Sequence, residues 1–211
     1  MKKLFGICVT VTMALAVSSA AQATTYDYAA DFSILSNPNG AWSYGAKHKD
    51  GNGKPTGTFE LFDTAATEWF GMHLYMAGGD TTGFGGETWK NETNDEQYNI
   101  SPGHCSLNGD AYCTSTARWI APVSGYIDLT ISFGGSNSAR YVMHNDTLLA
   151  EVNYQNASLY VNAGDAIDAT TYGAPGWGNT QTDITIIIPE PATVCILSLG
   201  LVGIICKRRI A

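Results

Sequence analysis

Basic residues are scarce in the central part of this 211-residue chain. All 19 Asp and Glu lie between Asp27 and Glu190, whereas only six Lys and Arg lie there, so this stretch has a net charge of −13 against −8 for the whole chain. A surface of that sign repels nucleic acids and anionic lipids, and it favours solubility and cation binding. The composition therefore excludes nucleic acid as a partner.

Recognisable catalytic motifs are also lacking. The chain has no Gly-x-Ser-x-Gly elbow, no His-Glu-x-x-His and no phosphate-binding glycine loop, and no two of its four histidines share a metal-ligand spacing. The carboxylate pair that hydrolyses glycosidic bonds leaves no signature in a single sequence, so a secreted carbohydrate-active enzyme remains an alternative. The motif search predicts no catalytic residue, no metal site and no cofactor.

Only two of the five cysteines lie in the central part of the chain. They are Cys105 and Cys113, eight positions apart in PGHCSLNGDAYCTST. In an oxidising compartment such a pair is expected to form a disulfide. A metal site is the alternative, but it needs more ligands than the adjacent His104 supplies.

Helical periodicity is nearly absent between Thr24 and Ile188. Short stretches rich in Val, Ile, Thr, Tyr and Phe alternate instead with turn clusters, a pattern typical of an all-β sandwich. In TGTFELF and YIDLTISF the apolar residues recur at every second position, which predicts one buried and one wet face. The polar segment from Gly78 to Thr116 is expected to contain short strands of its own or a function. The predicted strands are Gly57–Phe62, Glu68–Met76, Ala117–Ile120, Tyr126–Phe133, Ala139–His144, Thr147–Tyr154, Ser158–Val161, Ala166–Tyr172 and Thr182–Ile188.

Two turns have a specific prediction. Asn145 and Asp146 both tolerate positive φ, so HNDT predicts a hairpin. Asp50-Gly51-Asn52-Gly53-Lys54 resembles half of a calcium loop, with oxygens at alternate positions. It lacks the later bidentate glutamate, and Lys54 would repel the ion, so a hairpin turn is the preferred interpretation. Structural calcium elsewhere in the acidic domain is left open.

The first residues have the three parts of a secretory signal peptide. Lys2 and Lys3 form a positive start, residues 4–17 are apolar, and Ala21-Gln22-Ala23 offers small residues for cleavage. This pattern predicts a mature chain that begins at about Thr24. An uncleaved anchor helix is the alternative, which the short apolar run disfavours.

The last residues form a second tripartite segment. Pro189-Glu190-Pro191 is followed by an apolar stretch, predicted to be a transmembrane helix over about residues 192–206, and by Lys207-Arg208-Arg209. The uncharged run of 16 residues over 191–206 reaches ~24 Å as a helix, against a hydrocarbon core of ~30 Å. The basic cluster is expected to stay cytoplasmic as a stop-transfer signal, which leaves the acidic domain outside.

This order of tripeptide, apolar helix and basic end, combined with a signal peptide, resembles the PEP-CTERM sorting signal of Gram-negative bacteria. The resemblance implies two partners: the export machinery and an exosortase, a membrane peptidase-transferase that processes the tail near the tripeptide. It implies export across the inner membrane, transient anchoring, and a final place at the cell surface or outside the cell. Such proteins are typical of species that make exopolysaccharide, which is therefore a further expected partner.

Three stretches of the middle resemble a recurrent ectodomain of PEP-CTERM proteins. They are DFSILSNPNGAWSYG (Asp31–Gly45), ARWIAPVSGYIDLTISFGG (Ala117–Gly135) and LYVNAGDAID (Leu159–Asp168). The resemblance implies a jelly-roll-like β-sandwich of the carbohydrate-binding-module type, with no settled activity. The predicted organisation is a signal peptide over 1–23, a β-sandwich ectodomain over 24–188 and the sorting signal over 189–211.

The tryptophans divide into core and ligand candidates. Trp89 and Trp177, flanked by polar and glycine residues, are the candidates for stacking on a sugar ring. Trp42, Trp69 and Trp119 are expected in the core. We therefore expect a non-enzymatic envelope or matrix protein, with weak polysaccharide affinity as a hypothesis. An adhesive protein that acts through an exposed apolar patch is a further alternative.

Overall fold

The computed structural model describes residues 23–50, 52, 54–69, 72–76, 86–109, 114–135, 139–173 and 179–190. Over these residues it has one short helix and 14 strands. In chain order they are β1 (Thr24–Asp27), α1 (Tyr28–Asp31), β2 (Trp42–Lys49), β3 (Pro55–Leu61), β4 (Thr64–Trp69), β5 (Met72–Met76), β6 (Glu87–Asn91), β7 (Cys105–Asn108), β8 (Ser115–Ile120), β9 (Gly125–Phe133), β10 (Ala139–His144), β11 (Thr147–Glu151), β12 (Tyr154–Val161), β13 (Ala166–Tyr172) and β14 (Thr180–Ile188).

The strands form two curled antiparallel sheets, which confirms the predicted all-β sandwich. The eight-stranded sheet has the order β12-β9-β14-β7-β6-β5-β4, with β1 beside β14, and the six-stranded sheet has the order β11-β10-β13-β8-β2-β3. The sequence pattern predicts β9, β10 and β13 to within one residue at either end. The single strand predicted over Glu68–Met76 is wrong, because β4 and β5 pair there as separate antiparallel strands.

Residues 26–186 form one compact unit. A second unit contains the chain ends, 1–25 and 187–211, of which the structure describes residues 23–25 and 187–190. No helix within the described ranges is long and apolar enough to cross a membrane. The predicted transmembrane segment lies outside those ranges, as does the predicted signal peptide except for Ala23.

The core follows from the alternation of side chains in the central strands. In β9, Ile127, Leu129 and Ile131 are fully buried, whereas Tyr126 and Asp128 on the opposite face are exposed. Burying each such aliphatic side chain stabilises the fold by about 1.5–3 kcal/mol relative to leaving it exposed. The alternation predicted from YIDLTISF is therefore confirmed.

The same alternation fails in β3, which is an edge strand. Leu61 is 45% exposed there, and the ring of Phe59 packs over the backbone of Gly45 on the outer side of the sheet. A Cβ on Gly45 would lie 2.1 Å from the carbonyl oxygen of Glu60 and 2.8 Å from the Phe59 ring. Only glycine allows this close approach of β3 to β2.

An aromatic cluster connects α1 to β2. Tyr28 and Phe32 pack on Trp42 and Tyr44, with ring centroids between 4.8 and 6.3 Å apart. Burial raises the pKa of the Tyr28 hydroxyl well above its ordinary value. Trp42 and Trp119 are at most 1% exposed, which confirms their predicted core positions. The side chain of Trp69 lies outside the described part of the structure.

Polar residues of the first resemblance stretch hold this cluster in place. The indole N–H of Trp42 donates to Oδ2 of Asp31 at 3.0 Å. The side-chain amide of Asn37 donates to the carbonyls of Tyr44 and Phe62 at 2.7 and 2.8 Å, and its oxygen accepts from the N–H of Tyr44 at 2.9 Å. These contacts give DFSILSNPNGAWSYG a structural role.

The outer side of the six-stranded sheet contains a buried ion-pair network. Lys47 and Asp168 have side-chain exposures of 0% and 1%, and Nζ lies 2.8 Å from Oδ2. Arg118 forms a bidentate pair with Asp168 at 2.7 and 2.9 Å, and its guanidinium lies 4.2 Å from the centre of the Phe59 ring. Asp146, which is half exposed, also pairs with Lys47. Two cations and two carboxylates thus neutralise each other where desolvation is costly.

Both specific turn predictions are confirmed. Asn145 and Asp146 have φ values of 47° and 65° and connect β10 to β11. Asp50 Oδ1 accepts from the N–H groups of Lys54 and Asn52 at 3.0 and 2.8 Å, in the turn between β2 and β3. These two backbone hydrogen bonds lower the pKa of Asp50. Its carboxylate is therefore engaged by its own hairpin.

Candidate functional site

Three exposed tyrosines lie on the outer face of the eight-stranded sheet. Tyr126 of β9 and Tyr160 of β12 are direct cross-strand neighbours, 65% and 52% exposed. Their ring centroids are 5.4 Å apart and their planes are inclined by 79°. Tyr154 lies on the same face of β12 and is 57% exposed. Six residues of strand place Tyr154 about 20 Å from Tyr160.

Small polar side chains fill the surface between these rings. Asp128 lies opposite Ser158, and Thr130 lies opposite Asn156, all on the outer side of the strand pair. We call the outer surface of these two strands the tyrosine face; its members are Tyr126, Asp128, Thr130, Ser132, Tyr154, Asn156, Ser158 and Tyr160. Neither β9, β12 nor the adjacent β14 contains a lysine, arginine or histidine.

The polar surface continues from β9 onto β14. The hydroxyl of Ser132 donates to Oδ2 of Asp183 at 3.3 Å, and Nδ1 of His104 lies 2.6 Å from Oδ1 of the same carboxylate. His104 and Asp183 are 42% and 41% exposed. In a serine triad the histidine stands between the hydroxyl and the carboxylate. Here the carboxylate stands between them, so the arrangement suits hydrogen bonding and not activation of Ser132.

The segment 92–103 closes over the neighbouring strands and borders this surface. The Asn91 side chain donates to the carbonyls of Asp95 and Ile100, both at 2.8 Å. The N–H of Ser101 donates to Oε1 of Gln181 at 3.0 Å, which joins the segment to β14. The prediction that residues 78–116 contain strands of their own is confirmed by β6 and β7.

Trp89 lies beneath this segment and does not present a free ring. It is only 6% exposed, packs in a cluster with Met72 and Ile100, and donates its indole N–H to Oε2 of Glu87 at 2.8 Å. A sugar-stacking ring needs an accessible face, so this placement corrects the prediction for Trp89. The polar neighbours of Trp89 in the sequence belong to β6 itself, whereas its burial comes from Met72 and Ile100, which are more distant in the sequence.

Several predicted site residues lie wholly or partly outside the described residues, and their roles stay predictions. Trp177 is among them, so its part in ligand binding rests on the sequence alone. At the predicted signal cleavage site, Ala21 lies outside the described residues, whereas Ala23 lies within them and is exposed. The others outside are Cys113, Pro191, Lys207, Arg208 and Arg209.

Cys105 is buried at the start of β7 and has no disulfide partner among the described residues. Burial raises the pKa of its thiol well above the ordinary value, so the reactive thiolate is disfavoured. Since the placement of Cys113 is not described, the pairing of the two cysteines remains a prediction. Among the residues that are described, no group of three or more His, Cys, Asp or Glu could hold a metal ion.

The tyrosines of this face were not singled out by the sequence reasoning. One signal was present, since Tyr126 begins YIDLTISF in phase with Asp128 and Thr130 and out of phase with the buried residues. The aromatic pair itself depends on strand pairing, because only the register of β9 against β12 places Tyr160 beside Tyr126. That pairing cannot be read from either strand alone.

The C-terminal segment is similar to a known protein-sorting motif. Residues 188–209 match the PEP-CTERM protein-sorting motif. The chain carries a PEP-CTERM sorting signal. It is therefore an exported protein processed by an exosortase, the partner that this motif implies. PEP-CTERM proteins are anchored transiently in the membrane and then sent to the cell surface or the extracellular space.

Pro189 and Glu190 of the PEP-CTERM tripeptide are exposed, as access by a processing enzyme requires. This chain is also distantly similar to two solved structures. A family 35 carbohydrate-binding module from Clostridium thermocellum is 18% identical, with a TM-score of 0.27, over 39% of this chain and 76% of the module. A β-glucosidase from Kluyveromyces marxianus is 10% identical, with a TM-score of 0.33, over 78% of this chain and 16% of the enzyme. No curated protein matches the sequence.

Proposed function

We propose that this PEP-CTERM protein is a non-catalytic component of the extracellular or biofilm matrix that binds polysaccharide through the tyrosine face. The observation that carries the proposal is the exposed cross-strand pair Tyr126 and Tyr160 beside a row of small polar side chains. Aromatic rings stack on the apolar side of a pyranose, while hydroxyl, amide and carboxylate groups bond to its hydroxyls. A protein sent to the cell surface meets such polymers there.

The charge of the face supports a class of ligand. Asp128 is the only carboxylate of the tyrosine face, Asp183 of β14 borders it, and β9, β12 and β14 contain no lysine, arginine or histidine. Carboxylates repel a polyuronate, whereas they accept hydrogen bonds from neutral hydroxyls or from an ammonium group. A neutral or amino-sugar polymer is therefore the expected ligand.

The length of the face supports binding along a chain. Tyr154 and the Tyr126–Tyr160 pair are separated by about 20 Å of strand, with polar cross-strand pairs between them. A single sugar ring cannot contact both aromatic positions. Affinity is therefore expected to rise with the length of the oligosaccharide.

The rival function, glycoside hydrolysis, needs two carboxylates that are free to donate and accept protons. Asp146 and Asp168 come together around Lys47, but Lys47 and Arg118 hold both of them as ion pairs, and Asp168 is buried. This arrangement favours a structural role for the pair. The release of reducing sugar from a bound polymer would establish the enzymatic alternative in its place.

The test is retention of the purified exported protein on immobilised neutral glucan, chitosan and a polyuronate. The double variant Tyr126→Ala/Tyr160→Ala is compared with Leu148→Ala/Leu149→Ala, which removes two exposed side chains from β11 of the other sheet. We expect affinity for the neutral or amino-sugar polymer to fall by about tenfold or more in the tyrosine variant only. Equal retention of both variants, or retention on the polyuronate alone, would overturn the proposal.

A further inference from the structure

Within the described part of the chain, β1 is only four residues long and pairs only with β14, and the two strand orders end in four further edge strands. They are β12 and β4 in the eight-stranded sheet, and β11 and β3 in the six-stranded sheet. An edge strand presents unpaired N–H and C=O groups, which pair readily with another chain. Proteins that must avoid such pairing protect their edges with charges, prolines, bulges or short strands.

Three of these edges carry such protection. Each shows a shift of register against its neighbour, as a bulge produces: in β3 against β2, in β4 against β5 and in β11 against β10. Strand β3 also begins with Pro55, and β11 has only five residues. Every one of the three contains an acidic residue: Glu60 in β3, Glu68 in β4 and Glu151 in β11.

Strand β12 has none of these protective features. Its eight residues, YQNASLYV, include no charged residue, no proline and no glycine. They pair with β9 in eight consecutive positions without a shift of register. No other described strand pairs with the free side of β12. A regular, uncharged edge of this length is a surface for strand addition.

We infer that β12 is a self-association edge, which pairs antiparallel with β12 of a second copy of this chain. One two-fold register, with Ala157 opposite Ala157, fits the outer side chains. It places Tyr154 opposite Tyr160 of the second copy and Asn156 opposite Ser158 of the second copy. Aromatic residues then face aromatic residues and small polar residues face each other, which are favourable cross-strand pairs.

The charge of the protein supports the choice of this edge. Copies with a net charge of −13 over residues 24–190 repel each other, so contact is most favourable where no carboxylate is brought opposite another. Strand β12 contains no carboxylate, whereas each of the other three edge strands contains a glutamate. The register also keeps the outer face of β12 on the same side in both copies. Two tyrosine faces would thus join into one continuous surface.

The test measures the mass of the exported protein in solution by light scattering over a range of concentrations. We expect a concentration-dependent doubling of the mass. In the variant Asn156→Lys/Ser158→Lys, each lysine lies opposite a lysine of the second copy, so the dimer should be lost. In Asn156→Lys/Ser158→Glu, each lysine lies opposite a glutamate, so the dimer should return.

The matched control is Thr130→Lys/Asp128→Lys, which adds lysines to the same face on β9, whose backbone is already paired on both sides. We expect this control to leave the dimer intact, and unchanged circular dichroism checks the fold of every variant. A wild-type protein that stays monomeric at all concentrations would overturn the inference. So would loss of the dimer in the control, or a failure of the lysine–glutamate variant to restore it.

Discussion

Tyr126 and Tyr160 meet edge to face across the pair of β9 and β12, with their ring centroids 5.4 Å apart and more than half of each side chain open to solvent. Ile127, which follows Tyr126, and Leu159, which precedes Tyr160, point to the other side of the strand pair, towards the core. The rings therefore contribute little to the packing of the sandwich and stay open to contact from outside. Because the exposed rings are separate from the core, their effect on ligand binding can be tested independently of their effect on stability.

The first prediction concerns that separation. Tyr126→Ala/Tyr160→Ala should lower the free energy of unfolding by only about 1 kcal/mol, because an exposed aromatic pair contributes little. Tyr126→Phe/Tyr160→Phe should keep most of the affinity for polysaccharide, since stacking needs the ring and not the hydroxyl. Urea denaturation and binding isotherms measure the two effects. A large loss of stability in the alanine variant would contradict this separation.

The second prediction concerns the ion-pair network. Asp168→Ala should destabilise the protein by about 3–5 kcal/mol, because it leaves the buried Lys47 and Arg118 short of a partner. Asp146→Asn should cost about 1 kcal/mol or less, since Asp146 is 52% exposed and solvent screens its charge. Chemical denaturation of both variants measures the difference. Equal losses would mean that burial does not control the strength of this network.

The third prediction concerns acid stability. Asp165 accepts hydrogen bonds from the N–H of Asn162 at 2.8 Å and from side-chain nitrogens of Asn145 and His144 at 2.7 and 3.0 Å. These bonds, led by that of Asn162, lower the pKa of Asp165 from 3.8 to about 2. Because the folded pKa is the lower one, this stabilisation is complete above pH 3.8 and is lost as the pH falls towards 2.

The variant Asp165→Asn tests this pH dependence, because its side chain carries no charge at any of these pH values. The wild type should exceed this variant in thermal stability by the largest margin near neutral pH, and the margin should shrink between about pH 4 and pH 2. Thermal unfolding at a series of pH values measures the margin. A margin that stays constant down to pH 2 would show that the charge of Asp165 does not stabilise the fold.

The fourth prediction concerns two glycines with opposite surroundings. Gly45→Ala should destabilise the protein by about 1–3 kcal/mol, because the new Cβ would collide with the Glu60 carbonyl at 2.1 Å. Gly125→Ala is the matched control, since a Cβ there meets nothing within 4 Å. The control should leave the stability unchanged or slightly raise it. A tolerated Gly45→Ala would mean that β3 does not pack against β2 as described.

The sequence predicts the sandwich well wherever a strand is buried on one face only. Alternation identifies β9 because Ile127, Leu129 and Ile131 must point inward and Asp128 outward. It fails at Leu61, because an edge strand has less core to cover and its apolar residues can remain exposed. Local patterns also locate the hairpin at Asn145, whose conformational preference is intrinsic to the residue.

The candidate site is harder to predict, because it depends on contacts between distant parts of the chain. Trp89 resembles a ligand residue in the sequence, yet segment 92–103 folds back over it and Ile100 packs against its ring. Tyr160 resembles an ordinary strand residue, yet the register with β9 makes it half of an exposed aromatic pair. In both cases the environment is set by tertiary pairing and not by the neighbouring residues.

The most direct test of the proposed function is a map of the bound polysaccharide by nuclear magnetic resonance. The exported protein is titrated with oligosaccharides of increasing length from the retained polymer, and the aromatic ring signals are followed. The account predicts that the largest shifts fall on Tyr126, Tyr160 and Tyr154, with tighter binding for longer chains. Shifts confined to Trp177, or no shift of any tyrosine of this face under saturating ligand, would contradict it.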